Sequence, residues 1–173
     1  FPEGKKSAKN AFLKAQRSKT EKRLSAMKKG AGKMVHVASA AAGTAGASPI
    51  PGSDAPIIAA IQSTMIYKIN TEFELDADNS KMTSVLTGIM GVTALAQVGK
   101  AVVANILKFF PGGGTVAGGL ISATTAIGIT EAVGHAYIAV LEKLYDMETG
   151  EVIFPENSDR IISAFKEAFS YKK

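Results

Sequence analysis

The sequence predicts an all-α protein: a helical bundle with a long hydrophobic Gly/Ala-rich hairpin and an N-terminal basic amphipathic helix. Three observations carry this reading. Apolar residues recur at helical spacing through long stretches that hold few strong breakers. Alanine and 17 glycines, with 12 aromatic side chains and no tryptophan, suit closely packed helices rather than a β-sandwich. Breakers such as Pro49, Pro51 and the Pro111–Gly114 turn fall between those long stretches and end them. A chain of 173 residues is long enough for one sizeable core.

The first element is "SAKNAFLKAQRSKTEKRLSAMKK", Ser7 to Lys29, free of Gly and Pro and rich in helix formers. Ala8, Ala11, Phe12 and Ala15 follow the i, i+3, i+4, i+7 rule, and Leu24 and Met27 form a later pair. Residues Met34 to Ser53 are uncharged and dominated by small side chains, which reads as a separate helix packed close to its neighbours. Pro49 and Pro51 end it. Ser53 or Asp54 then caps a helix running to about Phe73, with Pro56 tolerated in the first turn. Ile57/Ile58, Ile61, Met65, Ile69 and Phe73 form its stripe, and Gln62 sits at the border of that stripe, where it should bond a neighbouring helix or a broken backbone end near the prolines.

"ELDADNS" breaks the pattern. Lys81 to Phe110 and Thr115 to about Tyr145 then read as the two arms of the hydrophobic hairpin, turned by "PGGG" at Pro111 to Gly114. A loop follows, with a short extended piece at Glu151–Phe154, and Ser158 or Asp159 caps a last helix with Ile161, Ile162, Phe165 and Phe169 on one face. The expected organisation is 1–33 as basic helix and linker, 34–146 as helical core, and 147–173 as loop and C-terminal helix.

Charge is distributed unevenly. Residues 1–33 carry 11 Lys/Arg against Glu3 and Glu21, whereas the remainder carries 9 against 13 acidic residues. The basic character is local, so its partner should be local. Lys14, Arg17, Lys19, Lys22, Arg23, Lys28 and Lys29 are the expected interaction residues. An anionic membrane or a neighbouring domain fits them better than nucleic acid, because Phe12, the aromatic side chain of this helix, lies on its apolar side.

Several chemistries lack their residues. With no cysteine there is no disulfide and no thiolate metal site, and two histidines, His36 and His135, leave too few nitrogen ligands for a typical zinc site. Gly32-Lys33 and Gly99-Lys100 are not followed by Ser or Thr and have no glycine five residues upstream, so neither is a phosphate-binding loop. "DADNS" begins like a calcium loop, but Lys81 and Thr87 stand where glycine and glutamate are needed. Glu131 and His135 share a helical face without a third ligand in view, and His36 reads as a structural histidine. No catalytic constellation and no cofactor site emerge.

Three uncharged windows, 34–53, 82–99 and 109–130, approach the length of a membrane span. The first is mostly small residues with two prolines, and "PGGG" interrupts the third. The second continues into Lys100 and Lys108. Each lysine at mid-membrane costs about 2.5–3.5 kcal/mol, against about −0.3 to −0.6 for each Leu, Ile, Val or Phe. A bundle that docks on or inserts into a membrane fits better than a constitutive span.

"AFLKAQ", the Ala-rich helix, "PIPGSDAPIIAAIQSTMIYKI" and the Gly-rich hairpin, from Ala11 to about Tyr145, together resemble a bacterial helical domain of unknown function. That domain typically follows a small Ras-like GTPase domain, and relatives occur in inner-membrane proteins. Pro49, Pro51, Asp54, Gln62 and Met65 carry the most specific part of the likeness. The resemblance implies an upstream GTPase domain in the same protein, with GTP and Mg²⁺ bound there and not in this chain. Its looser likeness is to the helical regions of immunity-related and dynamin-like GTPases. The implied role is non-catalytic: membrane association or protein interaction, cytoplasmic, peripheral or integral at the inner face of a membrane. A membrane-inserting pore-forming effector and a soluble homo-oligomeric scaffold are the alternatives. The opening "FPEGKK", without an initiator methionine, reads as the continuation of a longer protein.

Overall fold

A computed structural model of the chain describes residues 2–47, 54–75, 81–93 and 115–170. The order is α1 (Pro2–Gly46), α2 (Asp54–Glu72), α3 (helical over 81–93), α4 (Thr115–Lys143), β1 (Tyr145–Asp146), β2 (Glu151–Val152) and α5 (Ser158–Ser170). The all-α expectation holds: among the described residues the strands amount to one antiparallel pair, with Tyr145 opposite Val152 and Asp146 opposite Glu151. Pro49, Pro51, the "DADNS" stretch and the "PGGG" turn lie outside the described residues. So does the part of the hairpin between its two described arms.

The two helices expected on either side of residue 30 are one. α1 runs unbroken through Gly30 and Gly32 for 45 residues, so the boundary expected after residue 33 falls inside it. The buried positions Thr20, Leu24, Met27, Ala31, Val35, Ala38 and Ala42 recur every three or four residues across both glycines. Each glycine costs about 1 kcal/mol relative to alanine in a helix interior. Continuous packing of this stripe against α4 and α2 offsets that cost.

Before Thr20 the helix is different. Residues 3–19 are exposed throughout, including Phe12 at 67% and Leu13 at 49%. The apolar face expected at Ala8, Ala11, Phe12 and Ala15 therefore covers nothing among the described residues. Burial begins at Thr20, where the β-hairpin holds the helix. The Tyr145 hydroxyl donates to the Thr20 carbonyl at 2.9 Å, and the Thr20 hydroxyl lies 2.6 Å from the Met147 carbonyl. Gly150, with φ of 73°, closes the hairpin where a Cβ would stand 3.2 Å from Thr20 Cγ2.

One core joins all five helices. Val35 and Met27 of α1, Met65 of α2 and Phe73 just after it, Ile89 of α3, Tyr137 and Leu141 of α4, and Phe165 of α5 belong to it. Residues of the 147–170 segment, Ile161 and Phe165 foremost, thus pack into the same core as the helices before it. A smaller cluster of Ala42, Ile58 and Ala126 closes one end. Within the expected α2 stripe, Met65, Ile69 and Phe73 are buried, but Ile57 is 51% exposed and Ile58 and Ile66 take the inner positions.

The helix ends follow local chemistry. α2 stops with Glu74 in a left-handed conformation (φ 58°), Leu75 N–H donating to the Asn70 carbonyl at 2.8 Å and Glu74 N–H to Thr71 at 3.0 Å. That is a Schellman ending with glutamate where glycine is usual. α5 is capped one residue earlier than expected: Asn157 Oδ1 accepts the Asp159 N–H at 2.9 Å. Its inner face carries buried Ile161 and Phe165, and Phe169 stacks on Phe165 at 5.6 Å between ring centres.

Candidate functional site

Two features on α1 stand out from the packed body: its basic N-terminal arm and its polar seam with α4. The arm needs nothing beyond local sequence to form, since Lys, Ala, Arg and Gln favour helix. It carries Lys5, Lys6, Lys9, Lys14, Arg17 and Lys19 against Glu3 on fully exposed turns.

The expected interaction residues divide into two groups. Lys14, Arg17, Lys19, Lys22 and Lys29 are exposed and outside any ion pair among the described residues. Arg23 pairs with Glu74, and Lys28 Nζ lies 2.7 Å from Glu142. These two cations tie α1 to the end of α2 and to α4, so their charge faces the protein itself. Both pairs are half-exposed, and such pairs contribute about 0–1 kcal/mol each.

Gln62 and Met65, the other residues singled out by the sequence, are both in the core. Gln62 is 1% exposed and its Nε2 donates to Thr130 Oγ1 on α4 at 3.2 Å, the interhelical bond expected of it. Met65 packs beside Gly134 of α4, where an added Cβ would stand 3.1 Å from the methionine sulfur. Asp54 is the first residue of α2. Gln62 and Met65 hold helices together. An apolar groove opens between α1 and α2, walled by Met34, Val37, Ile57, Ile61, Met65 and Lys68.

The polar seam was only half legible in the sequence. Glu131 and His135 share a face of α4 as expected, with His135 Nε2 at 3.1 Å from Glu131 Oε2. The third member is His36 of α1, read from the sequence as a structural histidine. Its side chain is 68% exposed, and its Nδ1 lies 2.8 Å from the other carboxylate oxygen, Oε1. The two imidazoles meet edge to face with centres 6.0 Å apart. One turn along α1, Ser39 is 2% exposed, and its hydroxyl has no hydrogen-bond partner of normal geometry although it lies beside the same carboxylate.

Burial acts to raise the Glu131 pKa. The hydrogen bond with His36, the nearby Ser39 hydroxyl and the charges of the two histidines outweigh it, and the pKa is lowered. Glu131 is accordingly an ionised carboxylate at neutral pH. Only the α1–α4 register brings His36, ninety-five residues away in sequence, to this face. No spacing rule could have found it.

A family profile described as "Domain of unknown function (DUF697)" matches residues 9–167. No curated protein and no solved structure matches the chain.

Proposed function

The chain belongs to the family described as a domain of unknown function (DUF697), and from that premise we propose a non-catalytic helical module that docks on an anionic membrane surface through the α1 arm. An upstream GTPase-type domain, suggested by the resemblance of the "PIPGSDAPIIAAIQSTMIYKI" region, would couple nucleotide state to this docking. The membrane is the cytoplasmic leaflet, and attachment is peripheral.

The carrying observation is the exposure of residues 3–19, a helical arm with six Lys/Arg against one glutamate. Each basic residue near an anionic leaflet contributes about 1 kcal/mol, and the attraction falls off within a Debye length. Exposed Phe12 and Leu13 add apolar contact at the headgroup boundary. None of the helices among the described residues is long and apolar enough to cross a membrane, which accords with docking.

Co-sedimentation with phosphatidylglycerol-containing vesicles tests the proposal. Binding is expected at low salt, is lost at about 0.5 M salt, and is weakened in a Lys9→Glu/Lys14→Glu variant. Absence of binding at low salt refutes it. Release of an encapsulated dye would favour the pore-forming alternative instead. The GTPase coupling is tested separately: the protein upstream of Phe1 should contain G-x-x-x-x-G-K-[ST].

A further inference from the structure

We propose that His36, Glu131 and His135 form a binding site for a divalent first-row transition metal ion, Zn²⁺ foremost, that staples α1 to α4. The site is distinct from the basic arm and does not depend on what the arm binds.

The donor set is the first argument. Two imidazoles and one carboxylate form a ligand set that binds zinc with a fourth position left open. The spacing is the second. Around a tetrahedral ion with bonds of about 2.0–2.1 Å, neighbouring donor atoms stand about 3.3 Å apart. Here His36 Nδ1 and Glu131 Oε1 are 2.8 Å apart, and His135 Nε2 and Glu131 Oε2 are 3.1 Å apart. All three residues offer donor atoms within 4.8 Å of one another. An ion between these donors would replace the two histidine–carboxylate hydrogen bonds with three metal–ligand bonds.

Ser39 is the third argument. A buried hydroxyl without a well-formed partner is costly, and this one lies beside Glu131. It is placed to hydrogen-bond the ligating carboxylate, the kind of outer contact that orients metal ligands. Access is the fourth. His36 is exposed while Glu131 and His135 are partly covered, so an ion enters from the His36 side and water or a partner's side chain can take the open position.

The two helices already cross closely on this seam at Gly134 and Val35, which holds the donors of both in register. The ion's effect is then mechanical. It ties the helix that carries the arm to the centre of the bundle.

The test uses the full chain without a histidine tag, dialysed against a chelator and titrated with Zn²⁺ by calorimetry. A single equivalent should bind with Kd of about 10 μM or tighter, and the thermal midpoint should rise with Zn²⁺ but not with Mg²⁺. Co²⁺ should give the visible absorption of a tetrahedral nitrogen–oxygen site. His36→Ala and His135→Ala should each weaken binding at least about tenfold. Glu131→Gln keeps side-chain size and hydrogen bonding, and should weaken Zn²⁺ binding while the apo thermal midpoint changes less. The proposal is overturned by absence of both the Zn²⁺ heat and the Co²⁺ band in the wild-type chain, which holds whether or not any variant folds. Undiminished affinity in a folded His36→Ala/His135→Ala variant also overturns it.

Discussion

Tyr137 and Asn70 meet in the middle of the core, where the phenol donates to Asn70 Oδ1 at 2.6 Å and neither residue is more than 1% exposed. Asn70 also directs its amide towards Met82 Sδ at 3.2 Å, and its carbonyl accepts the bond that ends α2. This pair links α4 to the end of α2 and to α3. Tyr137→Phe removes the donor and leaves a buried carbonyl oxygen short of a partner. It should destabilise the protein by about 1–3 kcal/mol, read as a lower urea midpoint with an unchanged m-value.

The same asymmetry applies to Gln62 and Thr130. Gln62→Met keeps volume and apolar contact but removes the donor to a fully buried hydroxyl. A loss of about 1–2 kcal/mol is expected. Adding Thr130→Val should recover part of it, because the hydroxyl left unpaired is then gone. Strict additivity of the two losses in a double-mutant cycle would show that the bond carries no coupling.

Gly134 marks the closest approach of α1 and α4 on the Val35 side. An added Cβ would meet Val35 Cγ1 at 2.7 Å and Met65 Sδ at 3.1 Å. Overpacking of about 1–3 kcal/mol competes with about 1 kcal/mol of helix propensity gained by alanine. Gly134→Ala should therefore be destabilising by about 0–2 kcal/mol, and Val35→Ala in the same chain should make it less so. Thermal unfolding of the four-member set checks this.

The arm should be energetically separate from the body. Residues 3–15 are exposed, and a Cβ added at Gly4 would meet nothing within 4 Å. Removing residues 1–14 spares the Gln16 bond to the Glu148 carbonyl and the Thr20 clasp. Stability by urea unfolding should stay within about 0.5 kcal/mol of the full chain, while vesicle binding at low salt falls. A large loss of stability would mean that the arm packs on the body.

Alkaline pH should loosen the fold. Burial holds the Tyr137 phenol well above its ordinary pKa of about 10, and it raises Tyr145 too, with Arg23 pulling down and Glu74 pushing up. A raised folded-state pKa means stability that is complete below about pH 10 and is lost as pH rises beyond it, because the unfolded chain ionises first. Urea midpoints should be flat between about pH 8 and 9.5 and fall above pH 10. Tyr137→Phe should fall less steeply. An equal alkaline slope in that variant would remove Tyr137 as the cause.

Which parts of this protein were legible in advance follows the range of the interactions involved. Helical class, the start of α2 at Asp54, the span of α4 and the inner face of α5 rest on neighbours three or four residues apart, which the sequence displays directly. Gln62 was legible as a polar residue in an apolar stripe, though its partner Thr130 was not. The shift from a basic to an uncharged small-residue composition suggested two helices around residue 30, and the packed stripe from Thr20 to Ala42 runs through it as one.

By itself the sequence determined the all-α class, the local concentration of positive charge in the first 33 residues, and the pairing of Glu131 with His135 one turn on. Tertiary structure alone decided that Thr20 is where α1 leaves the body, and that Arg23 and Lys28 face acidic partners rather than solvent partners. It also decided that His36 completes a three-residue polar cluster. The physical reason is the same in each case. Helix formation depends on residues within a turn or two, whereas these contacts depend on the register between helices, which is set by small-residue crossings such as Gly134 against Val35.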